Sequence, residues 1–500
     1  MASGLLIVGG YGLVGEQVAR LLRQRHPDLP IVLGGRHPER AKGLAASIGA
    51  QTAAVDVRAA HPLASLTERP AAVLAAVSDP DDHLLVDAMR RGIPFVDINR
   101  AGHASILDVT VAAARERPSA PVLLSGGWFA GVSALMAAAA VREIGDAERV
   151  DIAVLASSDD RVGPDSWGFS DRLAWPYYAM RGGRRQPAHP LTGLRTVRCA
   201  DLRDRPAALV GTLEQTTLPV TLGVPTVETR MALQSVASLY GLVGLKRSGA
   251  LRALARPGLR RVRAALLQRP GSGDFAGITI TATGPTGSVS VDLLDPRGQA
   301  HLSAVGAARA AERVLGTGLP AGVSFPEQSA DPEADLELLR QAGVVVRLSG
   351  FGKDVPHARV LRRDVDEGAK RGRMRMNASD TPALLLCALR AVGAAAFLAP
   401  AVGAKKLGIP DDAEGTYLVR LFAARNVALA GGLLASRGEA RRLWYQAGIA
   451  CDALDVAAGL LGFRAGKERS SAVVDTGASL VATALGVAGL LMDRRARKQR

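Results

Sequence analysis

Cysteine is scarce: Cys199, Cys387 and Cys451 are the only three in 500 residues. They are too few and too scattered for a disulfide framework or a thiolate metal centre, and they fit a reducing compartment. The eight histidines are dispersed, with no H-x-x-x-H pair and no Cys/His cluster, so no metal site is expected. A Ser/His/Asp nucleophile elbow is missing as well. Met1-Ala2-Ser3-Gly4 leads straight into a strand pattern, which predicts no cleavable secretion signal. What remains is a reaction whose hard chemistry belongs to a bound cofactor.

The chain is long enough for roughly two to four domains. Its net charge is +15, but residues 351–500 hold 24 Lys/Arg against 14 Asp/Glu, leaving only +5 for the first 350. A nucleic-acid enzyme would carry its basic stripe on the catalytic fold. This distribution excludes that class and points instead to a basic C-terminal module facing something anionic.

The organising stretch is Leu5-Leu6-Ile7-Val8-Gly9-Gly10-Tyr11-Gly12-Leu13-Val14-Gly15. Four apolar residues make a buried strand, and Val14, Val18, Leu21 and Leu22 continue at helical spacing. Gly10, Gly12 and Gly15 stand at G-x-G-x-x-G spacing between them. The first serves a tight turn, the second the approach of a pyrophosphate, the third helix-on-strand packing, while the helix N-terminus attracts the anion. Strand patterns recur at 31–33, 52–55, 72–77, 94–98 and 121–124 with helices between. That alternation predicts an α/β Rossmann fold, a doubly wound parallel sheet with ligands beyond the strand carboxyl ends. Arg36, after the second strand, suits a 2′-phosphate, so NADP(H) is preferred over NAD(H). Asp56 is placed at the adenine edge, with Ser78, Asp79, Pro80 and Trp128 near the nicotinamide.

These residues resemble the saccharopine dehydrogenase-like oxidoreductases over about residues 4–350. The likeness rests on Gly10 to Gly15, Gly35-Arg36, the strand end Phe95-Val96-Asp97-Ile98-Asn99, and Gly127-Trp128-Phe129-Ala130-Gly131. It continues in Val291-Asp292-Leu293-Leu294-Asp295-Pro296 and in Pro320 to Glu327. The resemblance implies hydride transfer with NAD(P), a cofactor site formed by Gly10, Tyr11, Gly12, Leu13, Val14, Gly15, Arg36, Asp56, Val77 and Ser78, and a possible homodimer. Relatives carry an acidic residue and a proline in a G-x-D-P-G turn where this chain has Phe129 and Ala130. That departure argues against a charged amino-acid substrate and favours an apolar or lipid-like one.

The domains expected are 1–135 (nucleotide-binding), 136–350 (an α+β substrate or dimerisation domain whose last part packs back), 351–378 (a basic linker) and 379–500. Residues 166–178 hold the densest aromatic cluster, which makes Tyr177 and Tyr178 candidate acids or orienting groups beside Asp79 and Trp128; aromatic clusters are also ordinary core. A hairpin is expected over 277–293. Residues 257–268 read as a basic amphipathic helix able to rest on a membrane surface.

Four Ala/Leu-rich runs, 382–402, 417–434, 443–463 and 473–492, approach the roughly 20 residues a spanning helix needs. The basic ends predict a multi-pass membrane bundle with the catalytic domain cytoplasmic. Against this, Arg390, Arg420, Arg425, Asp452, Asp455 and Asp475 lie within the runs, at about 2.5–3.5 kcal/mol each at mid-bilayer. Opposite charges on separate helices would have to pair. The alternatives are a soluble, cytoplasmic reductase with a helical oligomerisation domain, or a non-catalytic NADP(H)-sensing module coupled to a membrane bundle.

Overall fold

A computed structural model describes residues 4–98, 103–157, 172–247, 275–350, 412–436, 438–464 and 469–498, with isolated positions in between. The expected helix at 257–268, the linker 351–378 and most of 382–402 lie outside them. The chain divides into two compact units, Met1–Val360 and Leu361–Arg500.

The first unit opens with β1 (Leu5–Val8), α1 (Leu13–Arg25), β2 (Ile31–Gly35), α2 (Lys42–Ile48), β3 (Gln51–Ala54), β4 (Ala72–Ala75), α3 (His83–Arg90), β5 (Phe95–Asp97), α4 (His103–Glu116) and β6 (Pro121–Leu123). The strands pair in the order β6-β5-β4-β1-β2-β3, all in parallel. The expected doubly wound sheet is therefore present. β1 and β4 are fully buried because helices cover both faces, which is why they read as unbroken apolar runs. The order reverses between β1 and β4, where such sheets hold their ligands.

The chain then builds α5 (Ser133–Ile144), β7 (Arg149–Ala156), β8 (Tyr177–Arg181), β9 (Arg184–Ala188), β10 (Arg195–Arg198), β11 (Asp204–Leu209), α6 (Glu214–Thr221), β12 (Thr226–Leu233), α7 (Val236–Arg247), β13 (Ala276–Gly284) and β14 (Gly287–Asp295). The expected hairpin is β13–β14, closed between Gly284 and Gly287. Next come α8 (Gln299–Leu315), β15 (Gly322–Ser324), α9 (Pro332–Gln341) and β16 (Val345–Ser349). A second seven-stranded sheet runs β10-β11-β12-β7-β13-β14-β16. Alternation puts Val150, Ile152, Val154, Ile278, Ile280, Val291 and Leu293 on one face, packed against Ala134, Met136 and Ala137 of α5. The chain returns to the first sheet at its end: β15 pairs in parallel with β6, and α8 packs beside α1 through Ala304, Ala307, Ala308 and Ala311.

The second unit contains α10 (Ala413–Ala435), α11 (Gly438–Arg464) and α12 (Arg469–Lys498). Here the structure corrects the sequence expectation. Among the described residues no helix is long and apolar enough to cross a membrane, so the transmembrane bundle and its multi-pass placement are not supported. Alanine and glycine carry too little hydropathy to offset the charges spaced along these helices. The charges do pair: Arg390 Nη2 lies 2.6 Å from Asp452 Oδ2, and Arg425 Nη1 lies 2.9 Å from Asp455 Oδ1.

Candidate active site

The turn after β1 is built by close approach. Gly9 has φ +81°, a left-handed conformation that glycine adopts without a Cβ penalty. A Cβ on Gly15 would stand 2.2 Å from the Gly9 carbonyl oxygen, so α1 begins tight against the turn. The N-cap is Gly12, which offers no side-chain cap, and this leaves the first-turn N–H groups of α1 without a protein acceptor from that side chain. Gly9 was not among the residues singled out from the sequence; its signal was the Gly9-Gly10 pair.

The neighbouring loops crowd round this turn. Tyr11 crosses to the end of β2, where its hydroxyl accepts the His37 N–H at 3.1 Å and its ring fills the space over Gly35. Arg36, beside it, is exposed. Asp56 follows β3, is exposed, and accepts the Arg58 N–H at 3.1 Å. Val77 comes close to Gly9, whose Cβ would lie 3.2 Å from the Val77 Cβ. Ser78 and Asp79 follow on the same loop. The structure therefore brings Gly9–Gly15, Arg36, Asp56 and Val77–Ser78 to one edge of the parallel sheet.

The four catalytic candidates sit on separate elements: Asp79 on the loop after β4, Trp128 on the turn after β6, and Tyr177 and Tyr178 on β8. Asp79 accepts the Leu84 and Leu85 N–H groups at 2.9 and 3.1 Å, capping α3. Burial raises its pKa, offset in part by those two bonds. Trp128 packs at a tilt against Phe129, ring centroids 4.3 Å apart, in a turn whose Ala130 has φ +55°. Proline's ring forbids that angle, which gives the Ala130 departure a backbone reason. Tyr177 has a buried hydroxyl beside Gln215, and burial pushes its pKa up to about 12. Tyr178 is half exposed, with the Arg185 guanidinium 4.1 Å over its ring.

Several polar groups that the sequence does not single out come together in the fold. At the carboxyl end of β5, Arg100 bridges Asp97 at 2.7 Å and Asp82 at 2.6 Å. Asp97 also accepts the Ser125 N–H at 2.7 Å. Burial opposes the Arg100 charge, but the two carboxylates outweigh it and raise its pKa. In the 128–133 turn, Ala130 N–H donates to Glu214 Oε1 at 2.7 Å, and the Ser133 hydroxyl donates to the same oxygen. Glu214 is fully buried on α6. Glu327, also buried, accepts the Thr221 hydroxyl at 2.9 Å. Its pKa is pushed up to about 7, by burial foremost and by Glu214 nearby.

A groove of about 520 Å³ runs along α6 between α4 and β8, lined among others by Ile106, Leu107, Tyr178, Met180 and Val220. No group of three or more metal-ligating side chains occurs among the described residues.

No family model matches the chain and no curated protein matches its sequence. Among solved structures it is similar to apo saccharopine dehydrogenase (L-Glu forming) from Saccharomyces cerevisiae, with 13% identity and a TM-score of 0.50 over 70% of this chain and 99% of that one. A myo-inositol dehydrogenase from Corynebacterium glutamicum matches 69% of this chain and 99% of its own, at 16% identity and a TM-score of 0.37. GenD2 from gentamicin A biosynthesis, solved in complex with NAD, matches 69% of this chain and 96% of its own, at 14% identity and a TM-score of 0.36. The expected likeness to saccharopine dehydrogenase is thus found, and the chain shares the fold of that enzyme.

Proposed function

We propose that the chain is an NAD(P)(H)-dependent oxidoreductase that prefers NADP(H) and acts on an apolar substrate. One observation carries the reading: a glycine turn, left-handed at Gly9, opens an uncapped helix N-terminus at the point where the strand order reverses. That cradle admits a diphosphate where any side chain would intrude, and the helix N-terminus favours its charge. Arg36 supports the choice of NADP(H), being exposed at the end of β2 where a 2′-phosphate would lie. The saccharopine dehydrogenase fold agrees with the hydride chemistry a nicotinamide supplies when bound. Leu107, Tyr178 and Val220 support an apolar substrate, since they leave apolar surface open along the groove.

The test is equilibrium binding of NADPH and NADH to the full chain, followed by nicotinamide fluorescence. Arg36→Ala is expected to weaken NADPH about tenfold, the scale of one charge-assisted hydrogen bond, and to leave NADH unchanged. Equal loss of both would remove the NADP preference. Failure of wild-type protein to bind either would remove the oxidoreductase reading.

A second observation bears on the C-terminal unit. Leu443, Leu454, Leu460 and Leu461 face outward from α11 while the Arg390–Asp452 pair is turned inward and Arg425–Asp455 is half-buried. We read this unit as a helical assembly module of the reductase. Light scattering on the full chain should give a mass above that of one chain, and a strict monomer would refute it.

A further inference from the structure

A buried histidine on α8 has half of its hydrogen-bonding capacity unused. His301 Nδ1 lies 2.5 Å from Asp295 Oδ2, and Asp295 Oδ1 accepts the Arg297 N–H at 2.9 Å. The carboxylate is fully enclosed and the imidazole is 3% exposed. With Nδ1 on Asp295, the other ring nitrogen faces outward from the pair. Yet Nε2 is buried and, among the described residues, has no hydrogen-bond partner. Leaving such an atom unsatisfied costs about 1–3 kcal/mol, which a ligand or reacting group at Nε2 would recover.

Two contacts fix where the pair stands. Near its C-terminal end, α8 meets Arg25 and His26, at the end of α1, through Glu312 at 2.7 and 2.9 Å. Since α1 starts at the carboxyl edge of the parallel sheet, Glu312 marks the opposite edge. Higher up α8, a Cβ on Gly306 would lie 2.6 Å from the Gly126 and Gly127 carbonyl oxygens, just past the end of β6. His301 is five residues before Gly306, roughly 7–8 Å further along the axis at the usual helical rise. It therefore lies beyond the carboxyl edge, the side on which the Gly9–Gly15 turn also opens. Leu302 and Val305, next to it, share a packed cluster with Trp128 and Phe129. Asp295 ends β14, so the pair bridges the second sheet and the helix that returns to the first.

Resting on the oxidoreductase reading, we propose that His301 is the general acid–base of the hydride transfer and that Asp295 is its positioning residue. Asp295 holds the tautomer with the proton on Nδ1, leaving a lone pair on Nε2. In oxidation, His301 Nε2 takes the O–H or N–H proton of a substrate whose C–H electron pair departs as hydride to a nicotinamide dinucleotide, and a C=O or C=N bond forms. The proton then rests on His301, as an imidazolium beside the Asp295 carboxylate. In reduction His301 returns a proton to the same atom.

The test needs no substrate. Full-length protein labelled with ¹⁵N-histidine is observed by NMR while NADPH is added, with binding followed separately by fluorescence. His301→Gln identifies the resonance by its loss, and it should keep NADPH affinity within twofold. The expected spectrum shows His301 protonated on Nδ1 and bare on Nε2, with Nε2 shifting as NADPH saturates. His26, bound to Glu312 at the far end of α8, should stay put. Asp295→Asn should move His301 toward the other tautomer without abolishing NADPH binding. If NADPH binds and the Nε2 signal of His301 does not respond, His301 is a packing residue and the proposal fails while the oxidoreductase reading stands. If NADPH does not bind at all, both fall.

Discussion

Gly9 and Gly15 approach so closely that a Cβ on the second would lie 2.2 Å from the carbonyl oxygen of the first. No Cβ tolerates that distance from a backbone oxygen, so α1 has to move before Gly15 can be replaced. Gly15→Ala should cost about 1–3 kcal/mol, the range for overpacked sites, visible as a lower midpoint in urea. NADPH binding should be lost as well, because the same shift misplaces the first-turn N–H groups. A variant that keeps both stability and binding would show that the turn is looser than this.

Asp79 separates capping from catalysis. Its two bonds to the α3 backbone predict that Asp79→Ala loses about 1 kcal/mol of stability. NADPH affinity should hold within twofold, and Asp79→Asn should recover part of the stability. Unchanged melting together with lost turnover, once a substrate is in hand, would restore Asp79 as a reacting group.

Glu327 should make stability fall as pH rises. Its pKa is raised by burial to about 7 from the ordinary 4.5, so the folded chain holds a proton that the unfolded chain releases. The stabilisation is fully present below about pH 4.5 and is lost as pH climbs through 7. The loss is on the order of 3 kcal/mol. Glu327→Gln keeps the shape without the titration. Melting at pH 5 and pH 8 should show wild type and variant close together at the lower pH and the variant more stable at the higher. A parallel pH dependence in both would place the titration elsewhere.

In the C-terminal unit, Arg390 and Asp452 are both buried and 2.6 Å apart. Arg390→Met should destabilise the bundle by about 3–5 kcal/mol, because it strands the carboxylate. Adding Asp452→Leu should restore most of that loss. Thermal melting followed at the helical band would show it, and a double variant no better than the single one would mean that the pair does not act as a unit.

Legibility in the sequence followed the range of the interactions. β1, its glycine turn and α1 lie within some twenty consecutive residues, and Leu5–Val8, Gly10, Gly12 and Gly15 announce them locally. The β13–β14 hairpin was equally plain from its alternation. Glu214 with Ala130 and Ser133, more than eighty residues apart, gives no such signal. Glu214 is an ordinary polar residue on a helix, and only the folded chain brings the three together. The membrane expectation failed for another reason. The runs 417–434, 443–463 and 473–492 are of spanning length, but alanine contributes too little hydropathy against Arg425, Asp452 and Asp455.

Strand β15 has a consequence for how the molecule is made. The parallel sheet gains its outermost strand from Gly322–Ser324, nearly two hundred residues after β6, and its α8 cover from the same late stretch. During synthesis the nucleotide-binding half must wait, partly uncovered, while the whole second sheet leaves the ribosome. Loop closure over such a span slows assembly and leaves apolar surface bare in the interval. An excised fragment ending near residue 135 would carry that bare flank permanently and should aggregate, whereas one ending after β16 should not.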